Sequence, residues 1–299
     1  MVDIVIVNWN SGAYLKKCID SIFIEQNKAF IDRVILIDNN SIDNSIQSIS
    51  PNNKIEWVIN TSNLGFSKAC NQGFRLCNAP FVLLLNPDTV LFENTIKDCI
   101  GFMQVNNSID ILGCRLLNDE GYTTPTCSRF PTALHIFFDA TGFSKIAPAV
   151  FTPATIMTDW KHDGSRYVDQ VMGAFMFMKK NIFEKNGYFD ERFFVYYEEV
   201  DFSKRVASCG GKTFYNHSIS AIHSGEGTTQ SVKGFRLFLN LQSRLLYARK
   251  NFTDLGYTLV WFSTFFIEPV SRIIFLLLKA RWHELPELFK GYKLLVKNK

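Results

Sequence analysis

Two aspartates stand where apolar runs stop: Phe81 to Leu85 halts at Asn86, Pro87 and Asp88, and Arg33 to Ile37 halts at Asp38. An unbroken apolar run of this length reads as a strand buried on both faces, and Pro87 cannot donate to a ladder. Each acid is therefore delivered at a strand's C-terminal end, the edge at which open parallel sheets bind ligands. A turn aspartate is the ordinary alternative for either. If the two strands are neighbours, both carboxylates face one crevice and suit a cation or a ribose and base.

A second group of acids comes much later. Glu198, Glu199 and Asp201 crowd near a helix start, directly after the aromatic run Phe193 to Tyr197. Acids in a first helical turn gain about 0.3–1 kcal/mol each from the dipole, so capping is the ordinary reading. Mutual repulsion and desolvation by the aromatic run also raise the proton affinity of at least one of them, and such an acid suits general-base work on a hydroxyl. His223 follows a short strand and precedes Ser224 and Gly225, which fits a metal or phosphate ligand as well as a turn or core histidine. His135, His162, His217 and His283 show no ligand spacing with one another.

No Gly-x-Gly-x-x-Gly follows the first strand and no Gly-Lys-Ser/Thr loop occurs, which argues against dinucleotide and P-loop chemistry. A diphosphate on such a sheet needs another neutraliser. A divalent metal held by few carboxylates, with phosphate oxygens and water filling its shell, supplies one, and Asp88 is placed to be a ligand.

The elements that must position these groups follow from periodicity. Asp3 to Trp9 alternates as a first strand, and Leu15, Cys18, Ile19, Ile22 and Phe23 recur at helical spacing behind Ser11 as a cap. Strands are expected at Arg33–Ile37, Ile55–Ile59, Phe81–Leu85 and Ile109–Gly113, with helices over 66–77 and 93–103 between them. This alternation predicts an α/β fold, a doubly wound parallel sheet joined by right-handed crossovers. Residues 118–168 lack a firm period and are expected to be an irregular lid or acceptor loop. Pattern returns at Val168–Met178. A helix carrying Phe202, Val206 and Cys209 ends at Gly210 and Gly211, and short strands are expected at Lys212–Tyr215 and Ser218–Ile222.

The 299 residues, 47% hydrophobic and 14% aromatic, support a sizeable core rather than disorder. Seven scattered cysteines, never paired as Cys-x-x-Cys, read as reduced core thiols of a cytosolic protein, and no secretory signal is visible at the N-terminus. The net charge of +4 is uneven: the chain beyond Gln230 is basic, from Lys233 to Lys299. That asymmetry suits an anionic surface, lipid headgroups before nucleic acid, for which no recognisable module is present. Leu255 to Ile267 and Ile273 to Leu278 are apolar runs broken by Glu268 and Pro269, each short of the roughly 18–20 residues that span a bilayer. With Trp261, Phe262, Phe265, Phe266 and Trp282 among Arg272, Lys279 and Arg281, they suit helices lying in a membrane interface. A core or homodimer-contact hairpin is the alternative.

Several motifs occur in one order: Val7 to Ser11; Asp38 to Asp43; Asn63 to Phe66 with Asn71 and Gly73; Leu85 to Asp88; Gly173 and Ala174; Gly187 to Glu191 with Phe194; Tyr197 to Asp201 with Arg205; and His223. Together they resemble the family-2 glycosyltransferases, over about residues 3 to 250, and most closely the bacterial rhamnosyltransferase-like branch of polysaccharide and O-antigen synthesis. The resemblance implies a GT-A fold, a central mostly parallel sheet with helices on both faces, plus a C-terminal helical extension. It implies inverting transfer from a nucleotide-diphosphate sugar, dTDP-rhamnose first and UDP-hexoses second, to a glycan or lipid-linked acceptor, with Mg2+ or Mn2+ as cofactor. A non-catalytic sugar-nucleotide-binding subunit of an assembly complex is the other reading.

Carried over position by position, Asp38 would contact the base or ribose, Asn8 would line the same pocket, and Asn40, Asn63, Gly65, Asn71 and Asn86 would complete the donor site. Asp88 would be the metal-binding acid of an Asp-x-Asp motif whose first position is Asn86, and His223 would complete the metal site. The catalytic base falls on Glu199, where many relatives carry Asp, with Asp201 next in line, and Asp190 and Glu191 would position donor or acceptor. The implied organisation is a catalytic domain over 1–230, made of a nucleotide-binding half 1–115 and an acceptor half 116–230, followed by a helical, membrane-associating extension 231–299. The implied location is the cytoplasmic face of the bacterial inner membrane.

Overall fold

The computed structural model describes residues 1–225 and 233–298, so the boundary expected at 230/231, and Lys299, lie outside the described residues. In chain order the first half contains β1 (Val2–Asn8), α1 (Ala13–Ile22), α2 (Glu25–Lys28), β2 (Ile31–Asp38), β3 (Ile55–Ile59), α3 (Phe66–Leu76), β4 (Phe81–Leu85), β5 (Thr89–Leu91), α4 (Thr95–Val105), β6 (Ile111–Leu117) and β7 (Cys127–Ser128). There follow α5 (Ala133–Thr141), α6 (Phe143–Ile146), β8 (Arg166–Val168), β9 (Gln170–Val171), β10 (Phe175–Lys179), α7 (Ile182–Asn186), α8 (Glu198–Ser208) and β11 (Thr213–His223). The remainder is helical: α9 (Lys233–Asn251), α10 (Asp254–Phe262), α11 (Glu268–Leu278) and α12 (Leu285–Lys297). The chain forms two compact units, one of Met1–Ser128, Lys161–Arg192 and Glu198–Thr228, the other of Arg129–Trp160, Phe193–Tyr197 and Thr229–Lys299.

The first unit is built on a nine-stranded sheet in the order β3-β2-β1-β4-β10-β6-β11-β5, with β8 against β11. Strands β3, β2, β1 and β4 are mutually parallel, so the ends of β1, β2 and β4 share one edge. β1 and β4 are buried along their whole length, as apolar runs covered on both faces must be. Ile4 and Ile6 face Leu15, Cys18 and Ile22 of α1 and Ile96, Cys99 and Met103 of α4. Val5 points the other way, where α3 lies so close that a Cβ on Gly73 would stand 2.5 Å from Val5 Cγ1 and 2.9 Å from Ile37 Cδ1. Phe74 continues that side, stacked on Phe183 with ring centroids 4.7 Å apart and edge-on to Phe189.

Four departures from the sequence reading matter. β10 enters antiparallel between β4 and β6, which the alternation of strands and helices does not predict, within the mostly parallel sheet that the resemblance implies. β2 and β4 are not neighbours, because β1 lies between them. The two short strands expected around residue 217 form one strand, β11, with a register shift between Asn216 and Ser220 that hides its continuity from period-2 reading. The stretch 118–168 is not irregular throughout. Thr132 accepts a hydrogen bond from His135 N–H to start α5, and Gly142 at φ 81° ends it.

The second unit, described by itself, packs α9 against α12 at a pair of glycines: a Cβ on Gly291 would lie 2.8 Å from the Gly234 carbonyl oxygen. Phe238, Leu241 and Ala248 of α9 are buried as their spacing predicts. The expected break at Glu268 and Pro269 does not occur. Pro269 sits in the first turn of α11, where a missing N–H costs little, and Ser263–Ile267 winds as a π-turn that absorbs the misfit. Asp254–Leu278 is thus one 25-residue helix whose most apolar 18-residue stretch has a mean hydropathy of 1.5, long and apolar enough by length and composition to cross a membrane.

Gly73→Ala should destabilise the first unit by about 1–3 kcal/mol through overpacking against β1 and β2, read as a lower urea midpoint with an unchanged slope.

Candidate active site

Three polar groups gather at the shared edge of β1, β2 and β4. The first is a network at the ends of β1 and β2, where Asn8 is in register with Asp38. Asn8 Nδ2 lies 2.8 Å from Asp38 Oδ1, 3.0 Å from Ser41 Oγ and 2.9 Å from Ser45 Oγ, and Asp38 Oδ2 accepts from Ser41 N–H. Asn8 Oδ1 is buried with no hydrogen-bond partner among the described residues, a costly vacancy that a ligand donor would relieve.

Asn39 is the hub that sequence reasoning missed. Its Nδ2 donates to Asn63 Oδ1 at 2.9 Å, and its Oδ1 accepts from Leu64 N–H and Asn60 Nδ2. Asn63 Oδ1 also accepts from Gly65 N–H, so Asn39 and Asn63 hold the loop that enters α3 at Gly65, whose φ of 86° suits glycine. Asn40, by contrast, is exposed in the left-handed region at φ 66°. The signal for Asn39 was its place one residue past a buried strand, but three consecutive polar residues gave no way to choose among them.

The second group lies past β4. Asn86 N–H donates to the Ala174 carbonyl, its own carbonyl accepts from Thr89 N–H, and the chain turns at Pro87 into β5. β5 pairs antiparallel with β11, placing His223 opposite Thr89. That register brings His223 Nε2 to 3.3 Å from Asp88 Oδ1, with both side chains nearly buried. Ser224 N–H donates to the Asp88 carbonyl, fixing the turn from the other side. Beneath it Cys18 is a neutral thiol, its pKa pushed up by burial and by the Asp88 charge.

The third group is the first turn of α8. Glu198 is buried and its carboxyl is pushed well above the ordinary range, by desolvation first and by Glu199 second. Glu199 is raised by desolvation, partly offset by the N–H groups of Glu199 and Val200. Oε2 of each is buried without a hydrogen-bond partner among the described residues. Glu199 packs beside Gly173, where a Cβ would lie 3.9 Å from Glu199 Cβ and 4.0 Å from Leu84 Cδ2, which places this carboxyl near the end of β4. Two consecutive aromatics, Tyr196 at φ 71° and Tyr197 at φ 68°, precede the turn in a conformation that costs of order 1–3 kcal/mol each, strain of the kind stored at functional sites.

The remaining predicted residues serve to hold these groups. Asp201 Oδ2 accepts from Arg205 Nε at 3.0 Å, while Arg205 also donates to the carbonyls of Asn186 and Tyr188, so the pair ties α8 to the loop after α7. Asn71 brackets Phe189, donating to its carbonyl and accepting from its N–H, and donates to Glu191 Oε1 at 3.0 Å. Arg75 adds an ion pair to Glu191 at 2.9 Å, and Asp190 pairs with Arg192. These contacts position the 187–192 loop.

Strands lie about 4.8 Å apart, so the ends of β2 and β4, separated by β1, stand about 10 Å apart, a span that suits a nucleoside at one end and its diphosphate at the other. No cluster of three or more His, Cys, Asp or Glu able to hold a metal occurs among the described residues. A carboxylate and an imidazole 3.3 Å apart fit a cation that takes its other ligands from phosphate and water, as Mg2+ and Mn2+ do with nucleotides.

Residues 3–161 match the sequence family described as Glycosyl transferase family 2. The low-salt glycan biosynthesis hexosyltransferase Agl10 of Haloferax volcanii is 25% identical over 257 residues, covering 84% of this chain and 76% of that protein. The N-acetylglucosaminyl-diphospho-decaprenol L-rhamnosyltransferase of Mycobacterium tuberculosis is 21% identical over 240 residues, 75% of this chain and 76% of that one. In fold, the mannosyltransferase PcManGT from Pyrobaculum calidifontis, solved with GDP-Man and Mn2+, superposes with a TM-score of 0.58 at 11% identity, over 100% of this chain and 87% of that one.

The like-charge pair yields a pH prediction. Removing one charge in Glu199→Gln should lower the proton affinity of Glu198, read from the Glu198 carboxyl in an NMR pH titration. Because both folded carboxyls bind protons more tightly than unfolded ones, stability falls as pH rises from the unfolded carboxylate range through the raised values. Glu198→Gln should therefore flatten that fall in a pH series of thermal melts.

Proposed function

The chain belongs to glycosyl transferase family 2, and from that membership we propose that it moves a sugar with inversion from a nucleotide-diphosphate donor to a hydroxyl of a glycan or lipid-linked acceptor, with Glu199 as the base. Glycosyl transfer with a nucleotide-sugar donor is the activity that the matched family and the curated relatives support. The observation that carries the finer reading is the Glu199 carboxyl. It is raised in proton affinity, has an unpartnered buried oxygen, and stands beside Gly173 near the end of the strand that delivers Asp88.

Asp38 and Asn8 receive the nucleoside, with Asn8 Oδ1 accepting a donor from base or ribose. Asn39, Asn63 and Gly65 shape the loop around it, and Asn40, Asn71, Asn86 and Glu191 complete the donor pocket. Asp88 and His223 would hold a Mg2+ or Mn2+ ion, which when bound offsets the charge of the departing diphosphate. Glu199 takes the proton from the acceptor hydroxyl while that oxygen attacks the anomeric carbon, and a single displacement inverts the centre. The raised proton affinity makes Glu199 a stronger base than an ordinary carboxylate once it is ionised. The longer side chain reaches about one bond further than the Asp found in many relatives. Asp201 is already engaged with Arg205 and acts by orienting α8, and Asp190 and Glu191 set the loop that faces donor or acceptor.

Rhamnose from dTDP-rhamnose is the first donor to test, since a rhamnosyltransferase is among the relatives, with UDP-hexoses next. The acceptor named for that relative, N-acetylglucosaminyl-diphospho-decaprenol, is a lipid-linked sugar, which supports a lipid-linked acceptor here and, with it, surface-polysaccharide synthesis at a cytoplasmic membrane face with the C-terminal helices in peripheral contact with lipid.

A transfer and hydrolysis screen over nucleotide sugars, with and without Mn2+, tests the assignment; no turnover and no binding of any donor would refute it. Glu199→Gln should cut transfer by about 10²–10⁴-fold while calorimetry shows donor binding intact, and unchanged transfer would move the base elsewhere. Asp88→Asn should raise the Mn2+ concentration needed for half-maximal rate, whereas equal response to Mn2+ in variant and wild type would remove Asp88 from the metal site.

A further inference from the structure

The helix Asp254–Leu278 is packed inside out. Its buried face is mostly polar: beside Val260, the buried residues are Ser263, Thr264 and Glu268, all 3% exposed or less. Glu268 pairs with Arg244 of α9 and with Arg272, whose Nη2 is 2.7 Å from Oε1. Arg244 Nη2 also donates to Thr264 Oγ1 at 2.9 Å, and Ser271 Oγ donates to the Ala140 carbonyl of α5. Burial alone would push the Glu268 carboxyl up, but the two guanidiniums outweigh it and hold it below its ordinary value, so the buried charge is paired rather than neutralised.

The outward face is apolar at every fourth residue: Phe262, Phe266, Val270 and Ile274 are each about half exposed, and Leu278 is 81% exposed. Such a stripe, nearly the length of the helix, is far longer than the scattered apolar residues of an ordinary soluble surface. Cations and an indole flank its C-terminal end. Lys279 and Arg281 are exposed beside Trp282, Lys290, Lys293 and Lys297 are exposed on α12, and Lys145 Nζ sits 4.7 Å from the Phe275 ring centroid.

We infer that this helix lies flat in the headgroup layer of an anionic bilayer, its apolar stripe toward the acyl chains, and does not cross the membrane although it is long enough to do so. The inference rests on the peripheral-contact reading above and adds its orientation. At about 1.5 Å per residue the helix has the length to span a bilayer. Spanning, however, would carry Glu268 and Arg272 to mid-membrane, where ionised side chains are costly. It would also have to drag in α9, whose exposed residues include Arg249 and Lys250, or else break the Arg244 to Glu268 pair. Lying in the interface keeps that pair, buries the stripe, and sets the aromatic and basic residues at headgroup level. The flanking lysines and arginines favour anionic lipid over a second copy of the same basic surface, which would repel it.

The test uses the full chain and sealed vesicles. Flotation should require phosphatidylglycerol and fail with phosphatidylcholine alone. The double variant Phe262→Ser, Phe266→Ser should lower vesicle partitioning about tenfold or more with donor binding unchanged by calorimetry. A Lys297→Cys variant in a Cys209→Ser background should label fully with an impermeant maleimide on intact vesicles. Labelling only after detergent would mean that the helix crosses and would overturn the flat orientation while leaving membrane contact standing. Absence of flotation with any lipid would overturn both, and a stripe variant that only dissolves a dimer in sedimentation would assign the face to a second copy.

Discussion

The antiparallel pairing of β5 with β11 is the constraint on which the site depends. His223 belongs to the end of a long strand, and Asp88 to a turn 135 positions earlier; only the register that sets His223 against Thr89 brings their side chains to 3.3 Å. The turn itself is over-determined, with Asn86 bonded to Ala174 and Asp88 to Ser224 through the backbone. The cation site proposed for these two side chains would be weak unless both were held rigidly, and each is held by main-chain bonds on either side.

The same logic governs the carboxyls of α8. Placing Glu198 and Glu199 together in a desolvated turn costs stability, and the surrounding structure supports that cost. Arg205 bonds Asp201 and two carbonyls after α7. Phe189 and Phe202 close the apolar side with rings 5.3 Å apart. The result is an acid whose proton affinity is set by burial rather than by one opposing charge, the environment that suits a base. Asn71 and Arg75 perform a parallel service for the 187–192 loop through Glu191.

In the second unit a buried ion pair fixes which face of a long apolar helix is hidden. Hydropathy and length do not report which side of a helix is polar; the Arg244 to Glu268 contact does, because it fixes which face is hidden. The π-turn at Ser263–Ile267 lets that face stay continuous past Pro269.

The sequence by itself determined the strands that deliver Asp38 and Asp88, the helices between them, the family, and the candidate acids, because these rest on local periodicity and on acids placed where apolar runs stop. It mistook one helix for two, since a proline at a helix's first turn and a proline that ends one look alike before the hydrogen bonds are known. It also passed over Asn39 in favour of Asn40, since burial within a run of polar residues leaves no mark on their order. Tertiary structure alone decided that β10 runs backwards into the sheet, that β1 separates the two aspartates, and that the side chain of His223 comes to 3.3 Å from Asp88. Each of these is a pairing between residues distant in the chain. Strand order and register are set by side chains meeting across the sheet, and no period within a single segment carries that information.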